Sequence, residues 1–518
     1  DVGTRTITGT LSGGTGTDTL VLGNGANISG ANVSGFENLT IASGATVTMT
    51  AAQLAQFTGT ITAAGTETIT VTGDGNFTTL ANVETFSVGD DSTNARTITV
   101  AAAGTSVTAT SATDAVTFDI GTLTYTGTLT GAGTNDIVRA SGGANLTGGT
   151  FTNVTNLAIG TAGTVTINTT NLGAFSTSIA GSAGSDVLAL SGGGTFDFTS
   201  GSRTVGGIEG IALASNAAYT ITVGDNFNIN GGTLTVTNTS GAAITGAVGI
   251  DASRFAGGDA LSVGAIGLDG GATLTGGAGA DTLTGGAGND TITGNGGADT
   301  IVGGGGDDVF VINGSSDIAV GESYDGGTGN DTLSVTATTD FTGVSTLTSI
   351  ETLTLAAGVG VTFDAAAVTG DTIAVNGTGN NGGESLTVNG TNSADTINLS
   401  GLTLDLDDIA GATINGLINA DTITGTNGAD IIDGGAGADT IDGGGGNDVF
   451  VYASLGAFIS GGTVVDNITG GTGTGSGAVA IRAAGAISSG ARWAGMMAWR
   501  AVSTAPRSLV AVPPRSSG

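Results

Sequence analysis

The sequence predicts an all-β protein whose short strands wind into a parallel β-solenoid. Three observations support this fold class: two tandem arrays of a glycine-rich nonapeptide, a degenerate longer repeat in the rest of the chain, and apolar side chains that alternate with Thr or Ser. Alternation with a period of two is typical of a strand with one buried face. Short strands at a repeated spacing, joined by glycine turns, favour a solenoid. A string of antiparallel β-sandwiches is the alternative, although hairpin dipeptides are sparse.

The two arrays each contain four consecutive nonapeptides. The first, at 276–311, reads GGAGADTLT, GGAGNDTIT, GNGGADTIV and GGGGDDVFV, and the second, at 416–451, reads GLINADTIT, GTNGADIID, GGAGADTID and GGGGNDVFV. Both follow G-G-x-G-x-D-x-U-x, where U is a large apolar residue; we predict a six-residue turn and a three-residue strand. The U positions, expected to fill a narrow core, are Leu283, Ile292, Ile301, Phe310, Ile423, Ile432, Ile441 and Phe450. We expect the Phe-containing strands at 308–312 and 448–452 to plug the end of each coil.

The flanking sequence carries a weaker repeat of related length. In residues 1–257, for example, GGTGTDTLVL at 13–22 is followed by GFENLTIASGATVTMT at 35–50. Asp18 and Phe36 are 18 residues apart, which is twice nine, so the flanks and the arrays are predicted to share a coil length. The one helical candidate is MTAAQLAQF at 49–57, with Thr50 as its N-cap.

Composition excludes several classes of function. The 518 residues include 99 glycines and carry a formal net charge of −33, so nucleic acid is not an expected partner. There is no histidine, cysteine or lysine, which removes Ser-His and Cys-His triads, HExxH zinc sites, disulfides and Schiff-base chemistry. No apolar run is long enough to span a bilayer. A carboxylate-pair glycosidase remains possible in so acidic a chain, but no acidic pair stands out from the repeats and aromatic residues are scarce, so we expect no catalysis by this chain.

The nonapeptide turn has the chemistry of a site for a hard cation. Ca²⁺ takes six to eight oxygen ligands, and closely spaced backbone carbonyls and carboxylates supply them. No single turn has enough, so we expect turns to share ions. If two nonapeptides form one coil, Asp281 faces Asp299 and Asp290 faces Asp308, and likewise Asp421 faces Asp439 and Asp430 faces Asp448. The candidate metal-binding glycines are Gly277, Gly279, Gly286, Gly288, Gly297, Gly304, Gly306, Gly435, Gly437, Gly444 and Gly446.

These arrays resemble the haemolysin-type calcium-binding repeats of secreted repeats-in-toxin proteins, which form parallel β-rolls. The resemblance implies two calcium-binding β-roll segments, Ca²⁺ as the ligand, calcium-dependent folding, an extracellular or cell-surface location, and type I secretion. Asn295 and Thr426 each replace a second glycine, and the turn at 416–421 keeps only its first glycine and its Asp. These departures predict weaker binding there.

Other acidic positions are interpreted as structural. The turns at 13–18, 326–331 and 393–397 lack an Asp eighteen residues on, so we predict glycine turns with a solvated Asp. A recurring acidic position in the flank repeat is interpreted as solvated or turn-facing; its members are Glu37, Glu84, Glu209 and Glu351.

Five regions follow from these patterns. They are β-solenoid repeats at 1–257, a first β-roll at 258–330, a spacer repeat at 331–415, a second β-roll at 416–470, and an anomalous tail at 471–518 containing Arg, Pro and Trp, which we expect to be disordered. The flanks resemble bacterial surface-layer and adhesin repeat regions. We therefore expect a structural or adhesive surface protein, with calcium ions and either cell-surface polysaccharide or further copies of itself as partners. The alternative is the calcium-binding part of a larger secreted toxin or hydrolase.

Overall fold

The computed structural model divides the chain into two compact units, residues 1–269 and 270–518. The residues that it describes are 2–63, 66–72, 76–80, 83–89, 95–110, 115–133, 135–229, 232–255, 259–264, 267–378, 383–452, 459–460, 463–464, 466–470 and 478–481. The predicted tail at 471–518 lies outside the described residues except for the strand Ala478–Ile481.

The first unit consists of short strands separated by turns, as the Thr- and Val-rich sequence with its glycine punctuation predicts. Its strands are Thr10–Ser12, Thr19–Leu22, Asn32–Ser34, Asn38–Ile41, Thr46–Thr50, Ile61–Thr62, Thr68–Thr72, Phe77–Thr78, Thr85–Val88, Arg96–Thr99, Ser106–Ala109, Val116–Gly121, Thr128–Thr130, Ile137–Ala140, Thr150–Thr152, Asn156–Ile159, Gly163–Ile167, Ser178–Ala180, Asp186–Leu190, Gly194–Asp197, Thr204–Gly206, Gly210–Leu213, Tyr219–Gly224, Phe227–Asn228, Thr233–Asn238, Val248–Arg254 and Ala260–Val263.

The second unit also consists of short strands separated by turns, and it contains both nonapeptide arrays. Its strands are Ala272–Thr275, Thr282–Gly286, Thr291–Thr293, Thr300–Gly305, Val309–Ile312, Ser323–Thr328, Thr332–Val335, Thr339–Asp340, Thr346–Thr348, Thr352–Leu355, Gly360–Asp364, Ala374–Gly377, Ser385–Asn389, Thr396–Asn398, Thr403–Leu404, Ala412–Asn415, Thr422–Thr424, Ile431–Asp433, Thr440–Asp442, Val449–Tyr452, Ile459–Ser460, Thr463–Val464, Asn467–Thr469 and Ala478–Ile481.

Parallel pairing confirms the predicted solenoid and excludes the sandwich alternative. In the first unit Leu20 pairs with Leu39, and Leu39 pairs with Ile61, so each coil lays one strand beside the equivalent strand of the next. Among the described strands, Ile459–Ser460 with Thr463–Val464 is the one antiparallel pair. Because parallel strands need a crossover, the chain must travel around the other faces of the coil between partners.

Two nonapeptides make one coil in the first array, as the eighteen-residue spacing predicts. Leu283 pairs with Ile301 in one sheet, and Ile292 pairs with Phe310 in another. Alternate nonapeptides therefore belong to opposite faces of the coil. All eight U side chains are buried, which confirms their assignment to the core.

The Phe-containing strands do not plug the ends of the arrays, and that prediction was wrong. Val309–Ile312 pairs with Thr291–Thr293 on one side and with Thr332–Val335 on the other, so the coil continues past it. The Phe310 ring packs edge-on against Tyr324 with ring centroids 5.8 Å apart. Val449–Tyr452 likewise pairs on both sides, its second neighbour being Ala478–Ile481.

In the part of the chain that the structure describes, three short helices lie at equivalent places in the flank repeat. The predicted helix is Ala51–Leu54, and Thr50 caps it in a reciprocal capping box with Gln53. The others are Thr169–Ala174, with a capping box from Asn168, and Ala365–Val368. A 3₁₀ turn lies at Ser315–Asp317. None of the helices in the described residues has the length and apolar character needed to cross a lipid bilayer.

Candidate metal centre

The Asp of each nonapeptide is linked to the Asp one coil further on by a hydrogen bond. The backbone N–H of Asp281 donates to Oδ1 of Asp299 at 2.8 Å, and that of Asp290 donates to Oδ1 of Asp308 at 2.8 Å. In the second array the same bond joins Asp421 to Asp439 at 2.9 Å and Asp430 to Asp448 at 3.1 Å. All four predicted pairings are therefore present. We refer to each such series of stacked carboxylates as a carboxylate ladder.

The ladder carboxylates are buried, and most have one oxygen without a protein partner. The eight Asp residues are between 0 and 2 % exposed. The unpartnered oxygens are Oδ2 of Asp290, Asp299, Asp308, Asp421, Asp439 and Asp448. An ionised carboxylate oxygen in such a place carries an uncompensated desolvation cost. A bound cation removes that cost, so these residues fit a metal.

The first glycine of each turn makes room for this oxygen. A Cβ on Gly285 would collide with Asp290 Oδ2 and would lie 2.6 Å from the carbonyl oxygen of Gly303, one coil further on. The same two kinds of oxygen crowd the first glycine in other turns of both arrays, Gly276, Gly303, Gly416 and Gly425. These first glycines are not among the candidate residues predicted from the sequence, although they are the one glycine position kept in all eight nonapeptides.

The glycines at the second and fourth positions stack on carbonyl oxygens of the preceding coil. A Cβ on Gly297, Gly304 or Gly306 would collide with the carbonyl oxygen of Gly279, Gly286 or Gly288, respectively. In the second array, Gly435, Gly437, Gly444 and Gly446 stack in the same way on the carbonyls of Leu417, Asn419, Thr426 and Gly428. Gly277 instead donates its backbone N–H to Asp281 Oδ2 at 2.8 Å. Backbone oxygens therefore lie between successive turns, beside the ladder carboxylates.

The substituted turns keep the backbone shape but differ in their chemistry. Asn295 and Leu417 occupy the second position with φ of 62° and 76°, and Asn419 occupies the fourth with φ of 77°. Thr426 behaves differently, because its N–H donates to Asp430 Oδ2 at 2.6 Å and its hydroxyl donates to Oδ1 at 2.8 Å. Asp430 is thus satisfied by protein donors, and weaker calcium binding at that turn stays a prediction.

Burial raises the pKa of most of the ladder carboxyls. Desolvation is the largest cause, and it raises the pKa of Asp299, Asp308 and Asp448 to about 7 and that of Asp290 and Asp439 to about 6. Neighbouring carboxylates add to the rise in pKa at Asp299, Asp308, Asp439 and Asp448, whereas a backbone N–H bond opposes the rise at all five residues. The carboxylates are therefore held in an environment that disfavours their charge unless a cation is present.

Three acidic residues outside the nonapeptides join the ladders. Asp308 N–H donates to Asp331 Oδ1 at 2.8 Å, Asp395 N–H donates to Asp421 Oδ1 at 2.8 Å, and Asp439 N–H donates to Asp466 Oδ1 at 2.8 Å. The paired residues are 23, 26 and 27 positions apart in the sequence, so the eighteen-residue spacing of the arrays does not predict these pairs.

The prediction of a solvated Asp at 326–331 was wrong, because Asp331 is fully buried. The recurring Glu positions also have a role beyond solvation. The carboxylates of Glu37, Glu209 and Glu351 accept the backbone N–H of Asp18, Asp186 and Asp331 at 2.8–2.9 Å. Glu84 is exposed, as predicted.

The donor set determines which ions fit. Across the described ranges, no three or more His, Cys, Asp or Glu side chains converge on one point. Any ion between the turns must therefore draw several ligands from backbone carbonyls. A mixture of carboxylate and carbonyl oxygens suits Ca²⁺ rather than a softer metal such as zinc.

Comparison with known proteins agrees with this chemistry. A family model for the RTX calcium-binding nonapeptide repeat matches four copies, within residues 10–28, 267–310 and 415–450. The second and third segments cover the two arrays except for the last residue of each. The first contains the turn at 13–18, for which the residue spacing predicts a plain glycine turn. No curated protein gives a significant match to the chain. The chain therefore carries haemolysin-type RTX repeats on a parallel β-solenoid, and the ligand of these repeats is Ca²⁺.

Proposed function

We propose that this chain is a structural or adhesive part of an extracellular or cell-surface protein, and that Ca²⁺ drives the folding of its two nonapeptide arrays. The observation that carries the proposal is the series of buried Oδ2 atoms without protein partners in the ladders, for example at Asp290 and Asp308. Each of these oxygens lies between turns that also present backbone carbonyls.

The energetics support coupling between metal binding and folding. Adjacent strands are about 4.8 Å apart, so two stacked unit charges repel by about 3.5 kcal/mol at an effective dielectric constant of about 20. A repulsion of this size at several steps is comparable with the whole stability of a domain, about 5–15 kcal/mol. A dication between the turns converts the repulsion into attraction, so the binding free energy contributes directly to folding.

The expected affinity favours a location outside the cell. Few carboxylates contribute to each gap between turns, and sites with low ligand charge bind calcium weakly, with Kd of about 10⁻⁴–10⁻³ M in extracellular modules. Such sites are empty at cytosolic calcium levels and fill after export. The arrays would therefore fold where the protein works.

Two turns of the flank repeats support a structural role, because protein donors complete the carboxylate of each. Asp186 Oδ2 accepts the N–H of Ser182 at 2.6 Å, and Asp136 Oδ2 accepts the N–H groups of Ala132 and Gly133 at 3.0 and 3.1 Å. Solenoid coils of this kind need no cation at those carboxylates. We therefore propose a permanent β-body around these two turns, with calcium-dependent segments following it. The turn at 13–18 is not part of this proposal, because Asp18 Oδ2 is buried without a protein partner and the turn lies in a matched repeat segment.

A calcium titration of the full chain tests this proposal. Hydrogen exchange measured by segment, together with circular dichroism, should reveal protection of 276–311 and 416–451 that rises with Ca²⁺ and is lost in chelator. Protection around the flank turns at 131–136 and 181–186 should change little. Equal protection of the arrays in excess chelator and in calcium would contradict the proposal.

A further inference from the structure

The turn at 326–331, GGTGND, stacks on the last turn of the first array although it lies outside the nonapeptide spacing. Gly304 pairs with Gly327 on one side of the turn, and Phe310 pairs with Leu333 on the other. The Asp308–Asp331 hydrogen bond spans 23 residues, whereas the Asp290–Asp308 bond spans 18.

The five additional residues are accommodated at the opposite edge of the coil. Between the strands Val309–Ile312 and Ser323–Thr328 the chain makes a longer connection, which contains the 3₁₀ turn Ser315–Asp317. The edge that carries the turns at 303–308 and 326–331 is not disturbed. Even the exposed fifth position stays in register, because Asp307 N–H donates to Asn289 Oδ1 and Asn330 N–H donates to Asp307 Oδ1, both at 2.9 Å.

We propose that the gap between the turns at 303–308 and 326–331 is a further Ca²⁺ site, with Asp308 and Asp331 as its carboxylate ligands. The proposal rests on calcium binding by the arrays and adds a coil to the first of them. It assigns a metal-binding role to a turn that neither the eighteen-residue spacing nor the matched family segments include.

The oxygens between the turns at 303–308 and 326–331 are arranged like those between the turns at 285–290 and 303–308. Asp308 is fully buried, its Oδ2 has no protein partner, and a Cβ on Gly303 would meet both that Oδ2 and the carbonyl oxygen of Gly326. These relations match those of Asp290, Gly285 and Gly303 in the array itself.

Backbone oxygens complete the resemblance. Cβ atoms on Gly327 and Gly329 would collide with the carbonyl oxygens of Gly304 and Gly306, so those carbonyls point into the same gap. Gly327 has φ of 97°, a conformation that L-residues with side chains rarely adopt, so the turn requires glycine there. The set of two carboxylates and several carbonyls is the kind of donor set that Ca²⁺ takes.

Asp331 differs from the flank carboxylate of Asp136 in the way that the proposal requires. Asp331 is 0 % exposed and its Oδ2 has no protein partner. Asp136 is also 0 % exposed, but its Oδ2 accepts two backbone N–H groups from its own turn. Burial alone therefore does not distinguish them, whereas the missing partner does. Asp136 provides the matched control.

The test compares Asp331→Asn and Asp136→Asn in the full chain by counting bound Ca²⁺ per chain with equilibrium dialysis at saturating calcium. Asn keeps an acceptor for the Asp308 N–H and removes the charge. Asp331→Asn should bind at least one ion fewer than the unmodified chain, and Asp136→Asn should bind the same number. An unchanged count for a folded Asp331→Asn chain would overturn the inference while leaving calcium binding by the arrays intact. No bound calcium in the unmodified chain would instead overturn the proposed function.

A measurement on the unmodified chain keeps the inference testable if Asp331→Asn does not fold. A crystal of the full chain grown in calcium gives an anomalous difference map at long wavelength. A peak between the turns at 303–308 and 326–331 supports the inference. Peaks confined to gaps between turns eighteen residues apart overturn it.

Discussion

The backbone N–H of Asp290 donates to the carboxylate of Asp308 at 2.8 Å. In a ladder, the carboxylate of each Asp accepts a hydrogen bond from the preceding coil, and its backbone N–H donates one to the following coil. The hydrogen bond fixes the position of one carboxylate oxygen and leaves the other directed into the gap between turns. Neighbouring sites are therefore mechanically connected through the backbone. Loss of one carboxylate should therefore affect the preceding coil, whose N–H it accepts, as well as its own coil.

Replacing both Asp290 and Asp308 by Ala should weaken the calcium response of the first array. The change removes two buried acceptors, and each leaves a backbone N–H unsatisfied at a cost of about 1–3 kcal/mol. We expect the calcium midpoint for protection of 276–311 to rise by at least about tenfold, since about 1.4 kcal/mol corresponds to a factor of ten. Hydrogen exchange followed across a calcium titration measures this midpoint.

Asp407→Ala is the control for the double substitution, because Asp407 is exposed. Its calcium midpoint should equal that of the unmodified chain. A double variant with an unshifted midpoint would mean that these carboxylates do not bind the ion.

The first glycine of a turn should be as important as the Asp. In Gly303→Ala the new Cβ would collide with Asp308 Oδ2 and lie 2.6 Å from the Gly326 carbonyl oxygen. Overpacking of this kind costs about 1–3 kcal/mol. Segment-resolved hydrogen exchange in calcium should therefore reveal reduced protection around 303–312.

Gly206→Ala is the matched comparison, because its Cβ would have nothing within 4 Å. That variant should retain the protection of the unmodified chain. Similar losses in both variants would indicate a general sensitivity to alanine rather than displacement of the ladder carboxylate.

Much of this site was predictable from counting residues, and the parts that were missed share one physical reason. The nonapeptide period correctly predicted the Asp290–Asp308 and Asp421–Asp439 pairings, because the arrays keep a constant coil length. Asp331 was missed because an insertion at one edge of a coil changes the residue count without changing the register at the opposite edge. Sequence distance is thus a poor guide to stacking once a connection lengthens.

The helices illustrate the opposite case, in which the repeat contained the information. The predicted cap at Thr50 is present, and Asn168 caps Thr169–Ala174 in the same place of a later repeat. Extending the first prediction along the repeat would have found it. The role of Gln53 was not readable from sequence, since its side-chain amide donates to the carbonyls of Ile28 and Ala31 on the preceding coil.

Restoring the consensus glycine at Thr426 should strengthen calcium binding in the second array. The Thr426 hydroxyl donates to Asp430 Oδ1 at 2.8 Å and competes with a cation for that carboxylate. Removing a hydrogen bond worth about 1 kcal/mol should raise the affinity of this turn about fivefold. The calcium dependence of hydrogen exchange in 425–433 measures this affinity.

Thr426→Ser distinguishes this explanation from a backbone effect, because it keeps the hydroxyl. It should bind calcium like the unmodified chain, whereas Thr426→Gly should bind more tightly. If the Ser and Gly variants gain affinity equally, the hydroxyl is not the competitor.

Leu417→Gly should stabilise the second array, which is unusual for the loss of a large side chain. Leu417 has φ of 76°, a conformation that costs a residue with a Cβ about 1–2 kcal/mol. Its side chain is 43 % exposed, so its removal gives up little burial.

The comparison is Leu406→Gly, since Leu406 is 53 % exposed and does not have a positive φ. Leu406→Gly should destabilise its surroundings by about 0.5–1 kcal/mol through the greater backbone entropy of the unfolded chain. Thermal unfolding in saturating calcium should therefore shift upward for Leu417→Gly and downward for Leu406→Gly, and a downward shift in both would mean that the left-handed turn at Leu417 carries no strain.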